Sequence, residues 1–269
     1  MVKPATARGP REAAVDTRNY VLNAMRLEDL HALEPHLQDA PVVSGQILYE
    51  PGYPVDWVYF PSTAVLSVVT VMADGRTVES DTVGYESAVG VLCALGASAS
   101  VSRTFTQIGG STIRLSASRL RHRAEESASL RRLLIRYAQA NLAQAHQSVA
   151  CNALHDLTQR LCRWLLMSHD RTGGDEVRLT QQYLATMLGV QRTTVTEALR
   201  ELASAGLIRQ QRGAIHVLDR ARMEAETCEC YDAVRSSLQQ LIGADPSIEI
   251  PTASVQGRRP QASDSVMAE

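Results

Sequence analysis

The sequence predicts an α+β chain with an N-terminal antiparallel β roll, a long helix and a C-terminal winged helix-turn-helix. Three observations carry that prediction. Between Val42 and about Leu115, short β-branched and aromatic runs alternate with turn signals. From Ala117 to Ser168 there is no Gly or Pro, and apolar residues recur there at helical spacing. From Thr180 to Val217, two short helical patterns meet at Gly189 and two short strand patterns follow.

The 269 residues allow two ordinary domains or one large one. Apolar content of 45% with 21% charged residues is the balance of a globular chain, not of a disordered or fibrous one. No apolar stretch approaches the roughly 20 residues that span a bilayer. The start, Met1 to Pro10, leads into no apolar segment of the kind a secretion signal carries, so a cytoplasmic location without membrane contact is expected. Five cysteines (Cys93, Cys151, Cys162, Cys228, Cys230) are odd in number and scattered, which argues for reduced thiols and against a disulfide framework.

Along the chain, residues 1–18 read as a disordered tail. Residues 19–116 form the roll, preceded by a short helix over Leu27–Leu37 in which Leu30, Leu33 and Leu37 share a face. The expected strands are Gln46–Tyr49, Asp56–Phe60, Val65–Met72, Thr77–Val83, Arg103–Ile108 and Ser111–Leu115. Residues 117–153 form the long helix. Its stripe of Leu130, Leu134, Tyr137, Ala138, Asn141, Leu142, Ala145 and Val149 needs an apolar cover. A second copy of the chain supplies one economically, with Asn141 fixing register. Packing back onto the chain's own roll is the alternative. A loop is expected over Asp170–Asp175, within a third domain of residues 154–222. One helix follows over 223–243, and residues 244–269 are rich in Pro, Ser, Gln and Ala, again a disordered tail.

Thr180 can cap a helix whose apolar face is Leu184, Met187 and Leu188, and Gly189 can end it in a left-handed conformation. A second helix starting near Arg192 buries Val195, Ala198, Leu199 and Leu202. Its other side carries Arg192, Thr193, Thr196, Glu197 and Arg200, weighted toward the N-terminal half that reaches base edges in a major groove. Arg192 has the fork that fits guanine, and Thr193 and Thr196 suit either a phosphate or a thymine methyl. Glu197 either accepts from a cytosine amino group or pairs with Arg200 or Arg192, the pairing being favoured. Leu207–Val217 then forms a hairpin with Gln211 and Arg212 at its tip, placed for phosphate. Thr180, Gln181 and Gln191 complete the expected contact set. Net charge is −2 overall, but Glu176–Arg222 holds seven arginines against four carboxylates, a local excess of +3.

Gly189-Val190-Gln191-Arg192-Thr193-Thr194-Val195-Thr196 resembles the Gly-x-Ser-Arg-Glu-Thr-Val start of the recognition helix in the Crp/Fnr family of bacterial transcription regulators. Asn152 to Leu161 is similar to that family's hinge between dimer helix and DNA-binding domain. The resemblance covers about residues 20–222, specific at the C-terminal end and loose in the cyclic-nucleotide-binding-like roll. It implies a homodimer on double-stranded DNA with a pseudo-palindromic operator, and contact with RNA polymerase if the protein is an activator. Gln191, Thr193 and Glu197 depart from the family pattern, so a different half-site is expected.

The family's cyclic-nucleotide pocket uses a Gly-Glu step and an Arg-Ser or Arg-Thr pair. Gly84-Tyr85-Glu86-Ser87 resembles the first, but the second position reads Ala97 to Ser102 and the nearest pair, Arg103-Thr104, falls a few residues late. Glu86, Arg103 and Thr104 are the candidate effector ligands; a cyclic nucleotide is disfavoured, and the effector is left as unknown or absent. No cysteine precedes Cys93, unlike the family's iron–sulfur sensors. Cys228 and Cys230 read as an ordinary reduced pair, since zinc sites want two such pairs or added His. His155 reads as a packing or capping residue and no metal is expected. No nucleophile–base or carboxylate pairing suggests an enzyme. The competing reading is a ligand-sensing module that acts through protein partners. A thiol- or metal-dependent enzyme using Cys228 and Cys230 is a weaker third.

Overall fold

The computed structural model describes residues 18–96 and 98–242; the two expected tails lie outside these residues apart from Arg18. Near the start of the described chain Asn19 caps α1 (Tyr20–Asn23), and α2 (Leu27–Leu33) follows. Pro35 turns the expected Leu27–Leu37 helix into a 3-10 turn over Glu34–His36.

Seven strands then build the roll: β1 (Gln38–Asp39), β2 (Ile47–Tyr49), β3 (Trp57–Pro61), β4 (Val65–Val71), β5 (Thr77–Val83), β6 (Arg103–Ile108) and β7 (Thr112–Ser116), with α3 (Val91–Leu95) between β5 and β6. They form two antiparallel sheets, ordered β1-β7-β3 and β2-β6-β4-β5. Alternation along β3 and β4 turns Val58, Phe60, Leu66 and other apolar residues into buried clusters. No helix among the described residues is long and apolar enough to cross a membrane.

The Gly- and Pro-free segment enters three helices, α4 (Ala117–Glu126), α5 (Ala128–Leu154) and α6 (Leu157–Thr172). The long helix expected over 117–153 is thus divided once, at Ser127, and the α5–α6 break falls within the expected hinge. Side-chain caps make the breaks. Ser127 is extended, and its hydroxyl accepts from the Leu130 amide. Asp156 and Gln159 form a reciprocal capping box that starts α6. Because α6 runs to Thr172 and ends on left-handed Gly173, Asp170 and Arg171 are helical and not part of a loop.

The expected stripe on α5 divides between two faces. Leu130, Leu134 and Tyr137 are buried in the chain's own core, so they are not available to a second copy. The Tyr137 hydroxyl donates to the Ala88 carbonyl, accepts from the Ala88 amide at 3.1 Å and meets the Ser87 hydroxyl at 2.9 Å. Facing away, Leu142 and Val149 are 57% and 69% exposed, as is Ile135 at 48%. Ala138, Asn141 and Ala145 are half-buried between these faces.

After α6 come β8 (Glu176–Val177), α7 (Gln181–Leu188), α8 (Arg192–Ser204), β9 (Ile208–Gln211) and β10 (Ala214–Val217), with sheet order β8-β10-β9. The expected single C-terminal helix is two, α9 (Arg220–Glu226) and α10 (Cys230–Ile242). α10 lies along α5, and Cys228 and Cys230 are not a pair apart, since Cys151 and His155 from the end of α5 lie against them.

The winged unit is fastened to the roll through α6 and α7. Arg171 on α6 is 6% exposed and binds Glu86 through Nε and Nη2 at 2.8 and 2.7 Å, while its Nη1 donates to the Met167 carbonyl at 3.1 Å. The Arg171 stem lies on Gly84, where a Cβ would stand 2.5 Å from its Cγ, so only glycine permits this approach. Nearby, the Trp164 indole donates to Glu79 at 2.8 Å, Gln144 donates to Asp81, and the Phe105 and Tyr183 rings stack at 6.0 Å. Burial, helped by the neighbouring carboxylates of Glu79 and Glu86, pushes the Asp81 carboxyl up to about 8.

Two outcomes are expected. Glu86→Ala leaves the Arg171 charge buried without its partner and should lower unfolding free energy by about 3–5 kcal/mol in urea titration. A loss within about 1 kcal/mol would place the pair among surface contacts. Asp81 holds its proton in the fold at pH values where the unfolded chain releases it. Its contribution is therefore greatest below about pH 4 and is lost as pH rises toward about 8. Asp81→Asn should remove this downward slope in melting temperature against pH, and an unchanged slope would refute the assignment.

Candidate nucleic-acid interface

The bihelical unit is assembled by local signals. The Thr180 hydroxyl caps α7 by accepting from the Tyr183 amide at 3.2 Å. Gly189 ends α7 at φ +66°, and the Val190 amide returns to the Ala185 carbonyl at 3.0 Å. The Arg160 guanidinium reaches from α6 to the Leu188 carbonyl at 2.6 Å, covering another free carbonyl of that helix end. α8 then buries Val195, Ala198, Leu199 and Leu202 against the core shared with α6 and α7. The burial alternates at helical spacing, so the opposite side of α8 is left outward.

On that outward side Gln191, Arg192, Thr193, Glu197 and Arg200 are exposed. Glu197 makes no ion pair with Arg192 or Arg200 among the described residues, contrary to the expected pairing. Thr196 is half-buried. Its hydroxyl lies 2.9 Å from both the Gln181 side-chain oxygen and the Arg192 carbonyl, and Gln181 in turn donates to Gln210 on β9 at 3.3 Å. Thr196 and Gln181 therefore tie α7, α8 and the wing together, a positioning role the sequence did not reveal. Gln191 caps no amide of α8 with its side chain, so the first-turn N–H groups are left for an outside acceptor.

The wing is a short hairpin that turns through left-handed Gly213, with Gln211 and Arg212 exposed at its tip. The Gln211 side-chain oxygen meets His216 Nε2 at 3.1 Å, which braces the tip. The seven local arginines sort into two groups. Arg178 pairs with Glu176, Arg222 donates to the Ala205 carbonyl, and Arg220 binds Asp170, Glu224 and the Tyr231 hydroxyl. Arg192, Arg200, Arg209 and Arg212 have no ion-pair partner among the described residues. Arg209 joins the expected set; its exposure on β9 depends on strand register that the sequence pattern alone leaves open.

The candidate effector residues are engaged elsewhere. Glu86 carries the Arg171 ion pair and also accepts from the Gly84 amide at 3.1 Å. Arg103 pairs with Glu50 at 2.9 Å, and Thr104 is buried within β6. A carboxylate and a cation expected to converge on one ligand thus each hold a protein partner.

Residues 159–226 match the family model of the Crp-like helix-turn-helix domain. Comparison with curated proteins finds no match. Among solved structures, a transcriptional regulator described as a putative Crp/Fnr family member from Eubacterium rectale is similar at 16% identity and a TM-score of 0.62. That match covers 78% of this chain and 98% of the other. FixK2 from Bradyrhizobium japonicum is similar at 18% identity and a TM-score of 0.62, covering 71% and 98%. A CRP-family transcriptional regulator from Thermus thermophilus gives 20% identity and 0.59, covering 70% and 95%. The chain thus has the Crp/Fnr regulator fold, with a Crp-like helix-turn-helix domain at its C-terminal side.

Proposed function

We propose that the protein is a homodimeric, sequence-specific DNA-binding transcription regulator whose α8 enters the major groove. The observation that carries this reading is the outward face of α8. Its polar and cationic residues have no ion-pair partner among the described residues, while the opposite face is locked into the core. Arg192 and Arg200 stand on that face, and Arg209 and Arg212 on the adjoining wing. The helix therefore supplies base contacts and the wing supplies phosphate contacts. Gln191, Thr193 and Glu197 give the base-reading end its own chemistry, with Glu197 free to accept from a cytosine amino group.

The seam on α5 supports the dimer. Ile135, Leu142 and Val149 recur every seven residues, all exposed, with the half-buried Ala138 and Ala145 between them. That is the a/d spacing of two helices packed side by side. Ile135 belongs to this seam although its period was hidden in the sequence by the stronger Leu130–Leu134–Tyr137 face. Two copies related by a two-fold axis would present two α8 helices to half-sites about one helical turn apart.

Selection from random duplexes should enrich a pseudo-palindrome, with affinity falling steeply as salt rises; failure to enrich any sequence would end this reading. Arg192→Ala should cost about 1–3 kcal/mol of discrimination at one position in each half-site. Arg212→Ala should instead weaken all sequences alike and make the salt slope shallower by about 1 per protomer. Ile135→Glu with Leu142→Glu should give folded monomers in sedimentation, because both side chains are exposed within the protomer. A dimer that survives this pair of charges would show that the seam lies elsewhere.

A further inference from the structure

Beyond the winged unit, four side chains of metal-binding type meet where α5 ends and α10 begins. Cys151 and His155 stand one helical turn apart at the end of α5, and Cys228 and Cys230 flank the start of α10. One ligand atom from each, three Sγ and a ring nitrogen, lies within 4.8 Å of all the others. The Cys151 and Cys228 sulfurs are 3.6 Å apart, and the Cys230 sulfur is 3.4 Å from His155 Nδ1. A tetrahedral zinc ion with Zn–S of about 2.3 Å and Zn–N of about 2.0 Å requires S–S edges of about 3.8 Å and S–N edges of about 3.5 Å. Ligand number and type fit, as do these two edges, and the remaining separations are within 4.8 Å.

The surroundings fit as well. His155 Nε2 lies 3.2 Å from a carboxylate oxygen of Glu229, which orients the ring so that Nδ1 is the atom offered to a metal. The Gln147 side chain donates to the Cys230 sulfur at 2.9 Å. Three thiolates on Zn²⁺ leave a net charge of −1, and the guanidiniums of Arg163 and Arg160 stand near enough to Cys151 to offset it. A disulfide between Cys151 and Cys228 would use two of the four groups and leave the convergence of Cys230 and His155 unexplained.

We propose that Cys151, His155, Cys228 and Cys230 bind one Zn²⁺ in a closed structural site that fastens α10 to the end of α5. The site lies outside the matched residues 159–226 on both sides, and its ligand His155 sits in the hinge, between the end of α5 and the Asp156 cap of α6. By clamping that hinge, the metal holds α6, and with it the winged unit, at a set angle to the long helix. Coordination requires deprotonated thiols and a neutral imidazole, so the clamp loosens on acidification.

Metal analysis of the full chain, purified without chelator and then incubated with Zn²⁺ and desalted, should find about one zinc per chain. Replacement by Co²⁺ should produce the thiolate charge-transfer and d–d absorption of a tetrahedral site. Cys151→Ser and Cys228→Ser should each lose the metal, whereas Cys93→Ser, outside the cluster, should keep it. Alkylation of the wild-type chain gives a readout independent of any variant's folding. Cys151, Cys228 and Cys230 should be protected from the reagent until Zn²⁺ is removed. A chain that retains no Zn²⁺ and shows no Co²⁺ bands would overturn the proposal, as would recovery of Cys151 and Cys228 as a disulfide from the freshly purified protein.

Discussion

The position of the winged unit depends on how the turn from Gly84 to Ala88 is gripped. Arg171 of α6 holds Glu86, Tyr137 of α5 holds Ser87 and Ala88, and the Asn19 side chain donates to the Ser87 carbonyl at 2.8 Å. Roll, long helix and winged unit thus meet at five consecutive residues. A buried guanidinium is costly unless its partner is held in place, so the ion pair tolerates little displacement of α6 from β5. Gly84 is part of the same constraint, because the Arg171 stem occupies the space of a side chain. With α6 set in this way, α7 lies against β5 and the outer face of α8 is left to solvent.

This grip also explains where the sequence was legible and where it was not. Strands β5 and β6, the Gly189 turn, the start of α8 and the wing hairpin all rest on local signals and were read at or near their observed bounds. The break at Ser127 was missed because the segment lacks Gly and Pro, and the one at Asp156 was expected only from the resemblance of Asn152–Leu161 to a hinge. Asp156-Leu157-Thr158-Gln159 is nonetheless a capping-box pattern, so that break was readable from side chains alone. The pairing of Glu86 with Arg171 was not legible for a different reason: the two lie 85 residues apart, and no local rule brings them together. The cluster of Cys151, His155, Cys228 and Cys230 escaped in the same way, its two halves being separated by more than 70 residues.

α5 shows how one amphipathic pattern can serve several contacts. Leu130, Leu134 and Tyr137 pack on the roll, Gln147 and Cys151 face α10, and Ile135, Leu142 and Val149 look outward. Read as a single stripe, these faces merge, because residues three and four apart recur on each of them. Burial separates what periodicity cannot. The same holds for charge, where the local +3 of the C-terminal region says less than the division between engaged and unengaged arginines.

Protection of individual arginines tests that division most directly. The chain can be treated with phenylglyoxal with and without its selected duplex, and modified residues located by mass spectrometry. Arg192, Arg200, Arg209 and Arg212 should react in the free protein and be shielded by DNA, while Arg171 should stay unreactive in both states. Equal modification of Arg192 and Arg200 with and without the duplex would contradict the account, because α8 would then not be the surface that meets DNA.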